Sequence, residues 1–285
     1  MPPDSSPTAP GTRDWAALPR DILVTVLLEL GPREIMLGAE LACTAWRRVA
    51  LEEPALYRRI GYHGIPELTW RRGFGVGAKM VMARVALARA AGQCQAFKGD
   101  LYYEDLPYLV KRAPSLKTLD IEEFSNYNGT EELIVALKKL PLLRDFKIHF
   151  KHYLESSGDE MLRSVCQACP NLRKLVMRFA GAWDLECDED EFDMEPMDGR
   201  IPMMRKLRTL ILYDCDLTGK GLKGILDKCP RLKSLHITGY FNKREINEEL
   251  RLKCARVKKL TLPTTLNPED QCYRDFLGYS DSEEE

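Results

Sequence analysis

Cys166 and Cys169 stand as C-x-x-C, the spacing at which two thiolates can share a metal ion. A structural zinc site needs two further ligands, and the chain has four histidines and no second C-x-x-C after the first. His149 and His152 lie three apart in "HFKH" and read as a strand end and the loop after it. "GFGVGAKM", Gly73 to Met80, is a poor phosphate loop: it has no Gly before Lys79 and no Ser or Thr after it. Carboxylates are dense between Trp183 and Arg200, where nine of eighteen residues are Asp or Glu, with no nucleophile fixed beside them. No Ser-His-Asp or Cys-His arrangement can be assigned from spacing. The residues that could do chemistry are thus scattered. They point to a chain that binds rather than reacts, with no cofactor.

The elements that must position these residues follow a repeat. "CPRLKSLHITGY" from Cys229 and "CPNLRKLVMRFA" from Cys169 place apolar residues at the same intervals. The pattern L-x-x-L-x-I/L begins at Leu116, Leu207 and Leu232, at Leu172 with Met177 last, at Leu143 with Phe146 in the middle, and at Val257 with Val first. Successive starts lie 27, 29, 35, 25 and 25 residues apart. A weaker unit, Cys94, Phe97 and Gly99, precedes them by 22 residues. In a strand, side chains alternate between two faces. Leu235 and Ile237 therefore point into a core, Leu232 enters it from the preceding turn, and Ser234, His236 and Thr238 face outward. One such unit cannot bury its apolar face alone, so neighbours must stack.

Helices are predicted between the strands. Ser157 with Glu160 forms a capping box, and Asn242 with Glu245 forms another. A third helix starts at Thr130 and stops before Pro141. The glycine-rich "LTGKGLKGILDKCP" gives a weaker helix signal. The gap of 35 holds the acidic insertion, residues 183–200, expected to bulge from one face. "NPEDQCYRDFLGY" reads as a short terminal helix closing the last unit.

Composition agrees with a globular protein: 45% hydrophobic, 30% charged, net charge −1. That balance argues against nucleic acid or an anionic membrane as the partner. No apolar run is long enough to span a bilayer. The first dozen residues lack the pattern of a signal peptide, and nine scattered cysteines read as reduced thiols. Nucleus or cytoplasm is the expected location.

Residues 15 to 60 carry no such repeat and read as three short helices. The first, "LPRDILVTVLLEL", is apolar over more than half its circumference and ends at Gly31-Pro32. So small a block cannot cover that surface itself, and part of it should face another protein. The second, "PREIMLGAELACTAWRRVA", is predicted to bring Leu41, Ala45, Trp46 and Val49 to one side. The third starts at Pro54.

The repeat resembles the cysteine-containing class of leucine-rich repeats, over roughly residues 92 to 277. The N-terminal block resembles an F-box in Leu18-Pro19, the Asp21-Ile22-Leu23 run, Leu30, Cys43 and Trp46 at C-x-x-W, and Pro54, Leu56 and Tyr57. Ala42 and Thr44 depart from the usual Val and Arg beside the Cys. Together the two resemble the F-box/LRR-repeat family, most of all its plant members. The resemblance implies an α/β chain: a three-helix F-box, then a curved leucine-rich-repeat solenoid with a parallel sheet. The expected organisation is a disordered tail (1–13), F-box (14–61), linker with helix (62–91), repeats (92–277) and acidic tail (278–285).

The resemblance also implies a non-catalytic substrate receptor of an SCF-type cullin-RING ubiquitin ligase. The F-box would bind a Skp-type adaptor, and through it cullin and RING protein. Leu18, Pro19, Ile22, Leu23, Val26 and Leu27 would form the adaptor-facing surface. A protein substrate would lie on the outward strand face, where Lys147, His149, Lys174 and Arg178 make a basic centre beside Tyr213 and His236. That centre could receive an acidic or phosphorylated segment. The alternative is a scaffold or inhibitor that binds through the repeats without a ligase.

Overall fold

A computed structural model of the chain describes residues 14–61, 76–125, 130–151, 157–180 and 196–263. The N-terminal tail, the glycines 73 and 75, His152, the acidic insertion up to residue 195, and the segment predicted as a terminal helix with the tail after it lie outside the described residues. The chain divides into two compact units, Met1–Gln93 and Cys94–Glu285.

In the first unit, a 3-10 turn at Trp15–Ala17 leads to α1 (Arg20–Leu30), which stops at Gly31. Gly31 has φ 125°, a conformation that favours glycine and turns the chain into α2 (Pro32–Glu34). The predicted second helix is broken. After α2 comes a π-helical turn, Ile35–Ala39, then α3 (Glu40–Ala42), an extended Cys43 (φ −162°), and α4 (Thr44–Glu52). The π turn shifts the helical phase and Cys43 redirects the axis. Leu41 consequently stands 69% exposed instead of beside Val49, which is buried.

The third predicted helix is a 3-10 turn, Pro54–Tyr57, followed by the two-residue strand β1 (Arg59–Ile60). The helix expected in the linker is α5 (Val76–Arg89), and it is anchored in this unit. Arg89 pairs with Glu40 of α3 and donates to the Tyr57 hydroxyl at 2.9 Å, which itself donates to the Ala50 carbonyl at 3.0 Å. Burial acts to lower the Arg89 pKa, but the bonds to Glu40 and Tyr57 outweigh it and hold the guanidinium charged.

In the second unit, seven parallel strands follow chain order: β2 (Ala96–Tyr102), β3 (Thr118–Ser125), β4 (Asp145–Phe150), β5 (Lys174–Arg178), β6 (Thr209–Asp216), β7 (Ser234–Tyr240) and β8 (Lys259–Thr261). Their register carries the repeat directly. Phe97, Leu119, Phe146, Leu175, Leu210, Leu235 and Leu260 are partners in turn across all seven strands. All but Leu260 on the last strand are buried. Ile121, Ile148, Met177, Leu212 and Ile237 form a second buried row. The weak first unit is therefore a true repeat.

Helices α6 (Leu106–Arg112), α7 (Glu131–Lys138), α8 (Gly158–Ala168), α9 (Gly219–Lys228) and α10 (Glu248–Cys254) return the chain between strands. Ser157 caps α8, its hydroxyl accepting from the Glu160 amide at 3.2 Å. The second capping box does not form as predicted. Asn242 caps a 3-10 turn, Lys243–Glu245, and Asn247 caps α10. The glycine-rich segment makes a full ten-residue helix. Gly221 and Gly224 answer a packing demand, because the backbone of residues 197–199 runs directly against them. A Cβ on Gly221 would lie 2.2 Å from the Met197 carbonyl oxygen, and one on Gly224 2.9 Å from that of Gly199.

Candidate protein-binding surfaces

On α1 the predicted adaptor set divides in two. Ile22 (48% exposed), Val26 (38%) and Pro19 face solvent, with Leu18 half-buried. One helical turn separates Ile22 from Val26, so they share a face. Leu23 and Leu27 are a correction: they are 2% and 0% exposed and hold α1 on its own unit's core. Neighbouring helix positions lie about 100° apart, and here Leu23 and Leu27 take the side turned to the core while Ile22 and Val26 take the exposed side. Trp15, Leu28, Leu37 and Leu41 are further exposed apolar residues. The excess of apolar residues announced such a surface. Leu37 and Leu41 could not be located from sequence because the π turn resets their phase.

On the sheet, Lys147, Lys174 and Arg178 are exposed and His149, Tyr213 and His236 half-buried, but the charges are largely neutralised within the unit. Lys147 pairs with Asp120 at 3.3 Å, Lys98 with Glu122 at 3.0 Å, and Arg178 with Asp214 at 3.0 Å. The expected basic centre therefore has two of its three cations already matched by carboxylates of neighbouring strands. Lys174 stays exposed, with no ion pair among the described residues. His149 is the register partner of Arg178. Between the charges sit Val176, which is buried, and its partner Ile211, which is half-buried. Tyr213 and His236 meet edge to face, ring centres 5.5 Å apart. Asp214 reaches Arg178 through a bulge: its φ is 57°, and its amide donates to the Thr238 hydroxyl at 3.2 Å.

The C-x-x-C pair lies in the apolar core. Cys166 is inside α8, and Cys169 follows its end with its thiol 3.9 Å from the Leu137 carbonyl. Burial pushes the Cys166 thiol far up and the Cys169 thiol up to about 12, so both are neutral, the opposite of what metal ligation requires. Among the described residues no three His, Cys, Asp or Glu side chains gather to hold a metal, and no helix is long and apolar enough to cross a membrane.

A helical module with an uncovered apolar face, joined in sequence to a sheet of stacked repeats, defines a class of binding proteins. The F-box-like family model matches residues 15–63. Putative F-box/LRR-repeat protein 22 of Arabidopsis thaliana is 29% identical over 254 residues, covering 88% of this chain and 77% of that protein. Putative F-box/LRR-repeat protein 23 is 31% identical, over 88% of this chain and 54% of its own length. Putative F-box/LRR-repeat protein 9 is 30% identical, over 78% of this chain and 86% of its own. The chain belongs to the F-box/LRR-repeat family, whose members are in general non-catalytic adaptors.

Proposed function

We propose that this protein is the substrate-recognition subunit of an SCF-type cullin-RING ubiquitin ligase, acting in the nucleus or cytoplasm. The observation that carries the reading is the exposed apolar face of α1, Pro19, Ile22 and Val26, within the segment matching the F-box-like family. Covering what remains exposed of Ile22 and Val26 would contribute about 1 kcal/mol each, given some 1.5–3 kcal/mol for full burial of such side chains. A Skp-type adaptor would take this face and connect the chain to cullin and RING protein. The outward face of β5 to β7, with Lys174, Arg178, Ile211, Tyr213 and His236, would hold a protein substrate. The chain itself makes and breaks no bond. It raises the local concentration of a substrate lysine near a ubiquitin carrier.

The test is co-expression with a Skp-type adaptor, followed by size-exclusion chromatography. The wild type should elute as a one-to-one complex. Ile22→Asp with Val26→Asp should abolish the complex while circular dichroism stays unchanged, since both side chains are exposed. A wild type that elutes free of adaptor would refute the ligase role and leave a repeat scaffold.

A further inference from the structure

A second charged feature lies along the edge at which the strands begin. In every L-x-x-L unit from β3 to β8, the residue after the first apolar position is basic: Lys117, Arg144, Arg173, Arg208, Lys233 and Lys258. Lys and Arg make up 42 of 285 residues, so six of six is not a consequence of composition. Nor does packing impose it, because the position points out of the core.

The fold sets these residues in line. The Arg144 amide donates to the Lys117 carbonyl at 2.8 Å, Arg173 to Arg144 at 2.6 Å, Arg208 to Arg173 at 2.8 Å, and Lys233 to Arg208 at 2.8 Å. Lys258 joins them through its neighbour Lys259, whose amide bonds the Lys233 carbonyl at 3.0 Å. Strand neighbours are about 4.8 Å apart, so the five positions from Arg144 to Lys258 span about 19 Å.

Lys117 donates to the Gln95 side chain at 3.1 Å. The other five are exposed, and none is ion-paired among the described residues. This separates them from the outward sheet face, where Lys147 and Arg178 are already matched. Helix dipoles do not account for them. That attraction is confined to a helix's last turn, whereas Arg173 and Lys233 lie five residues past the ends of α8 and α9. The dipoles do explain why carboxylates collect at the other edge, in the first turns of α7, α8 and α10.

We propose that this cationic edge is a binding site for an acidic polypeptide segment, separate from the outward sheet face and independent of the F-box. Charge complementarity specifies the anion, and three further observations favour protein over nucleic acid. Leu142 and Met203, in the turns leading into β4 and β6, are exposed apolar side chains suited to an acidic segment that also carries apolar residues. The turns that lead into β3 to β8, such as Cys169-Pro170-Asn171 and Cys229-Pro230-Arg231, offer no aromatic ring on which a base could stack. The sequence pI of about 6.5 is also far from that of a nucleic-acid-binding domain.

The experiment uses the full chain and a fluorescently labelled peptide of ten glutamates, read by anisotropy at low and moderate salt. Binding should be salt-sensitive. Combined Arg144→Gln, Arg173→Gln, Arg208→Gln and Lys233→Gln should weaken it at least tenfold, and Arg173→Glu alone by severalfold. Lys220→Gln with Lys223→Gln, cations of α9 paired with Asp198 and Glu249, should change it less than threefold. The proposal is overturned if the wild type does not bind the peptide at low salt, or if the edge variants bind as the wild type does. It is equally overturned if a ten-nucleotide thymidine oligomer binds more tightly than the peptide. Arg173→Glu keeps the test decisive should the fourfold variant misfold.

Discussion

Gly221→Ala sets local preference against tertiary contact with opposite signs. Alanine in a helix interior is favoured over glycine by about 1 kcal/mol, so helix propensity alone makes the substitution stabilising. In the fold, the added Cβ would lie 2.2 Å from the Met197 carbonyl oxygen and 2.8 Å from Leu217 Cδ1. The first of these is backbone, and it cannot swing aside as the end of a side chain could. It also accepts two hydrogen bonds, from the Thr218 amide and hydroxyl, each at 3.2 Å. Overpacking costs roughly 1–3 kcal/mol and a weakened hydrogen bond about 1 kcal/mol, against the propensity gain. The net expectation is a loss of about 2 kcal/mol, which lowers Tm by about 4–8 °C in a unit of this size. Differential scanning calorimetry with hydrogen exchange over residues 216–228 would locate the loss at α9. Gly38→Ala is the control, because nothing stands within 4 Å of its Cβ, and it should stabilise the first unit by about 0.5–1 kcal/mol. An unchanged or raised Tm for Gly221→Ala would refute the claim that close backbone approach, rather than helix formation, selected glycine there.

Leu175→Ala removes a fully buried member of the continuous row and should cost about 2–5 kcal/mol by urea denaturation, whereas the exposed Leu252→Ala should change stability by less than about 0.5 kcal/mol. Arg89→Ala leaves Glu40 half-enclosed without its cation and should destabilise the first unit by about 2 kcal/mol, with Arg89→Lys recovering part of the loss in the same denaturation assay. Burial raises the Cys94, Cys169 and Cys229 thiols to about 12, so the folded state keeps protons that the unfolded chain releases above pH 9. That contribution is full below pH 9 and is lost as pH rises toward 12. Stability measured by urea denaturation under reducing conditions should fall between pH 9 and 10 by about 1 kcal/mol for each thiol, and a flat profile would show the thiols to be accessible. Among the described cysteines, Cys43 and Cys254 should react first with iodoacetamide, as read by peptide mass spectrometry.

The repeat was legible because strand side chains alternate and the core demands a leucine at each return. Leu119, Leu175, Leu210 and Leu235 could be put in one row from spacing alone. The apolar excess of α1 likewise announced an uncovered face, since composition and length limit what a small block can bury. Which of its residues are uncovered was decided by the fold. Leu23 and Leu27 turn inward because α1 must first hold its own unit together, and Leu41 emerges because a π turn and an extended Cys43 change the phase. Charge followed the same division. Sequence showed which rows are basic, but ion pairing depends on distances between strands that only the register supplies. It matched Lys147 and Arg178 to carboxylates on the outward face and left the cations at the strand starts unmatched among the described residues.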